Sequence, residues 1–253
     1  MFPIRDENPT RHRSIGTFLI IAVNVAVWIF VQGLGTFPAL LESVYEFGVI
    51  PAELLGKVEP GDRVQVTREL VWVFEDRSSW FTVFTSMFMH GGWLHLIGNM
   101  WFLAVFGDNV EDALGFFRFM VFYVACGLAA VAAQILSGPS SVTAMVGASG
   151  AIGGVMGAYA ILYPMAPVHM LVFLGFFITT IVVPAFLMLG YWFLLQLVSG
   201  MFSKPGAGGV AFWAHVGGFV AGVVLVKLMC NPKRVAECRG RRGRARRLVY
   251  RHR

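Results

Sequence analysis

Between Phe119 and Ser203 the chain carries no Asp, Glu, Lys or Arg. An uncharged run of that length cannot cover the surface of a soluble domain, and it holds several bilayer crossings of about 20 residues each. The whole composition agrees. Of 253 residues, 57% are hydrophobic and 13% charged, where soluble domains carry about 25% charged residues. The expectation is one all-α membrane domain, a bundle of six transmembrane helices with both termini cytoplasmic.

The net charge of +6 is concentrated at one end, because Arg239 to Arg253 holds eight arginines and no acid. Such a cluster after a last membrane helix reads as a cytoplasmic topology signal near anionic lipid rather than a nucleic-acid arm. Cys126, Cys230 and Cys238 show neither metal spacing nor an obvious disulfide pairing. The polar leader has no small-residue cleavage site, so no cleavable signal peptide is expected.

In order, residues 1–14 form a cytoplasmic N-terminal segment, 15–230 the membrane domain and 231–253 a basic cytoplasmic tail. Ile15 to Val31 reads as the first helix. Residues 32–79 form a long outer loop with a net charge of −4, in which Arg63 to Thr67 alternates as a short strand would. Trp80 to Gly92 reads as a partly embedded approach to a second helix, Trp93 to Phe106, and Asp108, Glu111, Asp112 and Arg118 as a polar inner turn. Further helices are expected over Phe119–Leu136, Ser149–Tyr163, Ile178–Val198, with Pro184 as a kink, and Val210–Met229. Val168 to Phe177 is either membrane-embedded or the start of the fifth helix. Ser199 to Gly209 reads as an outer loop that gates water access.

With the N-terminus inside, helices two, four and six run from the outer to the inner face. His95 and Asn99 start helix two, Ser149 opens helix four and His215 lies near the start of helix six. At about 1.5 Å per residue all four fall in the outer third of the bilayer. Alone, each is an ordinary interior polar residue. Together at one depth they point to function, because polar groups in a membrane are costly. Small residues at Gly147, Gly150, Gly153, Gly157, Gly218 and Gly222 support close helix packing. A serine hydroxyl needs an adjacent base, which neutral histidine supplies. No carboxylate lies at that depth, so the expected pair is a Ser149–His215 dyad. His95 and Asn99, at i and i+4, share a face and add donors to the Ser149 amide for an oxyanion. His90 is assigned to structuring the embedded loop. His90, His95 and His215 have no acidic or thiol partner at their depth, so no metal and no cofactor is expected.

These motifs resemble the rhomboid intramembrane serine proteases. Gly147-Ala148-Ser149-Gly150 is similar to that family's GxSG motif, and Ala214-His215-Val216-Gly217-Gly218-Phe219 with Gly222 to its catalytic-histidine helix. His90 to Asn99 is similar to its histidine/asparagine motif, and Gly107 to Asp112 to the polar turn that follows. The resemblance implies a six-helix rhomboid fold, Ser149 as nucleophile, His215 as base and acid, and an oxyanion hole from the Ser149 amide, His95 and Asn99. It implies cleavage of transmembrane protein substrates near their outer ends, with the lipid bilayer and no nucleic acid as partner. Two positions depart from the pattern. Some members carry a tyrosine, packed on the histidine, where this chain has Gly153, and the first loop has no clear Trp-Arg pair, although Arg77 and Trp80 are near. A bacterial plasma membrane is the expected location, and the rival reading is a non-catalytic rhomboid-like binder of membrane clients.

Overall fold

The computed structural model describes residues 2–68, 70–76, 79–175, 177–203, 209–230 and 232–236. Strand β1 (Phe2–Asp6) precedes helix α1 (Ile15–Phe30), and the short helices α2 (Ala39–Phe47) and α3 (Pro51–Leu54) follow. Strands β2 (Arg63–Gln65) and β3 (Val71–Val73) and the single turn α4 (Thr82–Thr85) lead to α5 (Trp93–Leu114), α6 (Phe116–Ser137) and α7 (Ser149–Leu162). Strands β4 (Pro167–Leu174) and β5 (Phe177–Pro184) come before α8 (Ala185–Phe202) and α9 (Phe212–Met229). Helices α6, α8 and α9 are long and apolar enough to cross a membrane, and α1 and α7 are shorter apolar helices. The protein is an integral membrane protein built mostly of helices.

Helix α7 is the centre of the bundle. Eleven of its 14 residues are buried, with no polar face, as expected of a helix that neighbours surround on all sides. Its glycines let those neighbours in. A Cβ on Gly218 of α9 would stand 1.9 Å from the Gly150 carbonyl oxygen, and one on Gly222 1.9 Å from that of Gly154. In return a Cβ on Gly157 would stand 2.3 Å from the Phe219 carbonyl oxygen. Backbones therefore touch along the α7–α9 seam, where dispersion contact replaces the hydrophobic drive absent in lipid.

Three elements differ from the sequence expectations. The chain is not purely α-helical. β4 and β5 form an antiparallel hairpin with β1 on the other edge of β4, giving the order β1-β4-β5, and β2 pairs with β3. The fifth helix accordingly begins at Ala185 rather than Ile178, and Pro184 stands at its N-cap instead of kinking it. A charge-free run has no periodicity to separate strand from helix. Here Val, Ile, Thr and Phe fill the strands, as their pleated packing favours, and Gly175, at φ +62°, supplies the turn. β1 lies along α5, where the Trp101 indole Nε1 donates to the Pro3 carbonyl at 2.6 Å.

The second difference is the acidic turn. α5 runs on through Asp108, Glu111 and Asp112 to Leu114. Carboxylates in a last helical turn face the negative end of the dipole. Here they serve another helix. Glu111 accepts from the backbone amides of Gly16 and Thr17, each at 2.8 Å, and from the Thr17 hydroxyl at 2.9 Å. Asp112 accepts from the amides of Arg11 at 2.8 Å and His12 at 3.1 Å. The orphan donors at the start of α1 are thus capped from 94 residues away in sequence.

The third concerns residues 32–79, where the sequence reading expects a loop with one short strand. The loop over residues 32–79 carries α2, α3 and the β2–β3 hairpin, with Val44, Tyr45, Ile50 and Phe74 as a small core of its own. An antiparallel bridge between Val49 and Met145 ties it to the segment before Ser149. α8 extends to Phe202, into the stretch expected to be loop, whereas the proposed first-loop Arg77 and the arginine-rich tail lie outside the described residues.

Candidate active site

Ser149 is the first residue of α7 and follows Ala148 at the N-cap. Its amide is one of the four N-terminal donors with no acceptor inside the helix. Its hydroxyl Oγ lies 2.7 Å from Nε2 of His215, in the first turn of α9. The Gly150–Gly218 contact sets this distance, since it brings the two backbones together one residue below Ser149 and three below His215. The start of α9 is held from α6, where Gln134 Oε1 accepts from the Ala214 amide at 3.2 Å.

His215 is held on its other side by α8. Its Nδ1 lies 2.7 Å from Oε1 of Gln196. The Trp192 ring packs against the imidazole with centroids 5.6 Å apart and planes tilted by 38°. The aromatic partner missing at Gly153 is therefore supplied by another helix. A Cβ on Gly153 would lie 3.1 Å from the His215 carbonyl oxygen and 3.7 Å from the Trp192 ring, so that space is filled. Sequence reading missed Gln134, Trp192 and Gln196. The available signal was that α8 is charge-free and carries one carboxamide, one turn after a tryptophan.

His95 and Asn99 stand in the first two turns of α5. The Gly91 amide donates to His95 Nδ1 at 3.2 Å. That bond makes Nδ1 an acceptor and leaves the proton on Nε2. His95 Nε2 and Ser149 Oγ flank one point, for a Cβ on Gly147 would lie 2.8 Å from the first and 3.3 Å from the second. Gly147 has φ +132°, a backbone conformation that favours glycine. Asn99 is buried, and its Nδ2 has no hydrogen-bond acceptor among the described residues. Both side chains line the same cavity, about 840 Å³ in volume, as Ser149 and His215. An unpaired buried amide donor is expensive.

His90 does not reach the hydroxyl. Its backbone is clamped on both sides by buried Gln32, whose Nε2 donates to the His90 carbonyl and whose Oε1 accepts from its amide, each at 2.8 Å. The ring itself packs edge-on against His95, with centroids 5.1 Å apart. The loop before α5 is thus shaped by the His90 main chain, and the ring sets the position of His95. Among the described residues no three His, Cys, Asp or Glu side chains gather as metal ligands.

The fold and site together define a helical membrane bundle in which Ser149, His215, His95 and Asn99 line one cavity. The sequence model of the Rhomboid domain matches residues 77–232, and the chain belongs to the rhomboid family. It is similar to RHOMBOID-like protein 5 of Arabidopsis thaliana, 36% identical over 84 residues, covering 33% of this chain and 27% of the relative. It is also similar to Rhomboid-like protein 11, chloroplastic, of the same plant, 27% identical over 237 residues, 89% of this chain and 69% of the relative. The Rhomboid protease GluP of Bacillus subtilis is 32% identical over 157 residues, 62% of this chain and 27% of that protein. The chain therefore spans little more than a quarter of two of these relatives. Relatives from a plant organelle and a bacterium give no support to a bacterial plasma membrane in particular.

Proposed function

We propose that this protein is an intramembrane serine endopeptidase that cleaves transmembrane segments of other membrane proteins near their outer ends. The observation that carries the reading is the 2.7 Å contact between Ser149 Oγ and His215 Nε2 inside a bundle of membrane helices. Helices α1, α5, α6, α7, α8 and α9 are read as six spans with both termini cytoplasmic, which puts the cavity on the outer side.

His215 Nε2 takes the hydroxyl proton as Ser149 Oγ attacks the scissile carbonyl carbon. The carbonyl oxygen becomes an oxyanion, received by the Ser149 amide, the Nε2–H of His95 and the Nδ2–H of Asn99. His215 then returns its proton to the leaving amine, and water deacylates the serine by the same route reversed. The dipole of α7 adds its positive end at the developing charge. Peptide bonds of a membrane helix are already hydrogen-bonded, so the substrate must unwind locally. Glycine or proline near the cut lowers that cost, and a small residue at the cut suits the crowded Ser149.

The test uses purified protein in liposomes with a generic transmembrane substrate, beside Ser149→Ala and His215→Ala. Cleavage by the parent and by neither variant is expected. Cleavage that survives Ser149→Ala removes the mechanism, and a parent that binds but cleaves no substrate establishes a non-catalytic membrane-client binder instead.

A further inference from the structure

Resting on the reading of Ser149 and His215 as nucleophile and base, we infer that Gln196 is the positioning residue of the histidine, so that the apparatus is a Ser149–His215–Gln196 triad with a neutral third member. The bonding pattern leads there by elimination. For His215 Nε2 to accept the Ser149 proton it must present a lone pair, which puts the ring proton on Nδ1. A buried N–H without an acceptor is costly and leaves the ring free to take the wrong tautomer. Gln196 Oε1, at 2.7 Å, is the acceptor that fixes the right one. Trp192, one turn earlier on the same face of α8, packs on the ring. One helix thus controls both the rotation of the imidazole and its proton.

The amide suits the place. A carboxylate would hold the imidazolium more strongly, but a bare charge at membrane depth is costly. A carboxamide oxygen accepts the same hydrogen bond without net charge, and that bond strengthens when the ring becomes cationic in the transition state. Among the described residues lining the cavity with His215, the other titratable side chain is His95 of α5. Helices α7 and α8 contain no Asp, Glu, Lys or Arg, and Arg118 of α6 and Lys227 of α9 stand at the opposite ends of their helices.

Gln196→Ala, Gln196→Met and Gln196→Glu separate positioning from packing. With a transmembrane substrate, the Ala and Met variants are expected to lose about 10- to 100-fold in kcat, with KM changed by less than about twofold. The acid limb of kcat/KM, which reports the base losing its proton, moves to lower pH in these two because the imidazolium has lost an acceptor. In Gln196→Glu it moves to higher pH because an anion stabilises the imidazolium. A residue needed only for packing moves neither limb in opposite senses. Labelling of Ser149 by a fluorophosphonate gives the same comparison without a substrate. The 15N shifts of the His215 ring are read independently of turnover. Nδ1 is expected to be protonated and hydrogen-bonded in the parent, with that signature lost in Gln196→Ala and Gln196→Met. Unchanged kcat and limb in Gln196→Ala, or a parent Nδ1 that bears no proton, overturns the inference. A parent that shows the Nδ1 signature but neither cleaves nor labels fails the protease reading alone.

Discussion

The Gly150–Gly218 contact is where the geometry of the site is most exposed to a single atom. A Cβ added by Gly218→Ala would lie 1.9 Å from the Gly150 carbonyl oxygen. Carbon and oxygen meet at about 3.3 Å, so α7 and α9 must part there by about 1.4 Å. Neither side can yield cheaply, because the clash is with a backbone carbonyl rather than the end of a side chain. Ser149 lies next to Gly150 and His215 one turn before Gly218, so the same displacement would stretch their hydrogen bond from 2.7 Å. The new separation is about 4 Å, beyond hydrogen-bond range. Misplacement of a base by 1 Å costs on the order of 100-fold. The expected result is kcat down at least about 100-fold, KM nearly unchanged, and a loss of about 1–3 kcal/mol in stability from overpacking. Gly190→Ala is the control, since a Cβ there meets nothing within 4 Å. It should leave kcat alone and stabilise α8 by up to about 1 kcal/mol. The assay is cleavage of a transmembrane substrate in liposomes, with fluorophosphonate labelling of Ser149 in parallel. Gly218→Ala with kcat within about threefold of the parent would refute the claim that this seam sets the Ser–His distance.

Three further outcomes follow from individual contacts. Asn99→Ala should lower kcat by about 100-fold with little change in KM, since its donor meets only the oxyanion; equal losses in binding and turnover would place Asn99 on the ground-state substrate. Glu111→Ala strips the cap from Gly16 and Thr17 and should cost about 2–4 kcal/mol, seen as a lower thermal midpoint in detergent with kcat retained in the folded fraction. Asp6 is lifted by burial to about 7, against the pull of the Tyr159 hydroxyl that donates to it and with repulsion from nearby Asp108. The folded chain holds this proton where the unfolded chain releases it. Its stability contribution is therefore full below about pH 4, falls as pH rises toward 7 and is level above, by at most about 4 kcal/mol. Thermal midpoints between pH 4 and 8 should slope downward in the parent and flatten in Asp6→Asn.

How much of this could be read from residues alone depended on the range of the interaction. Helices α6, α7 and α9 were expected over 119–136, 149–163 and 210–229 and lie at Phe116–Ser137, Ser149–Leu162 and Phe212–Met229, because their ends carry Gly, Pro and Ser punctuation. The approach of Ser149 to His215 followed from topology and helical rise. The β4–β5 hairpin was illegible because its strands are as apolar as the neighbouring helices, and the alternation that marks a strand in water is absent. The extension of α5 was hidden because its acids are bonded to α1, a partner that no local pattern reveals. Gln196 was legible in part. A lone carboxamide in a charge-free helix marks a buried partner, but nothing in α8 says that the partner is His215.

Every group that the proposed chemistry uses is a neutral side chain or a backbone amide: one hydroxyl, two imidazoles, two carboxamides and the Ser149 N–H. Proton transfer from Ser149 to His215 then creates a cation and an anion together, in a cavity lined by no Asp, Glu, Lys or Arg among the described residues. The protein meets this by position rather than by charge. The α7–α9 seam sets the distance between the two reacting groups, and α8 sets the tautomer and orientation of one of them. These are separate elements acting on one hydrogen bond, so their losses should not add. Once Gly218→Ala has parted Ser149 from His215, orienting the ring gains nothing. A double variant with Gln196→Ala should then be about as slow as Gly218→Ala alone, as for residues that act as a unit. Fully multiplicative losses would show that Gln196 contributes elsewhere than through the imidazole.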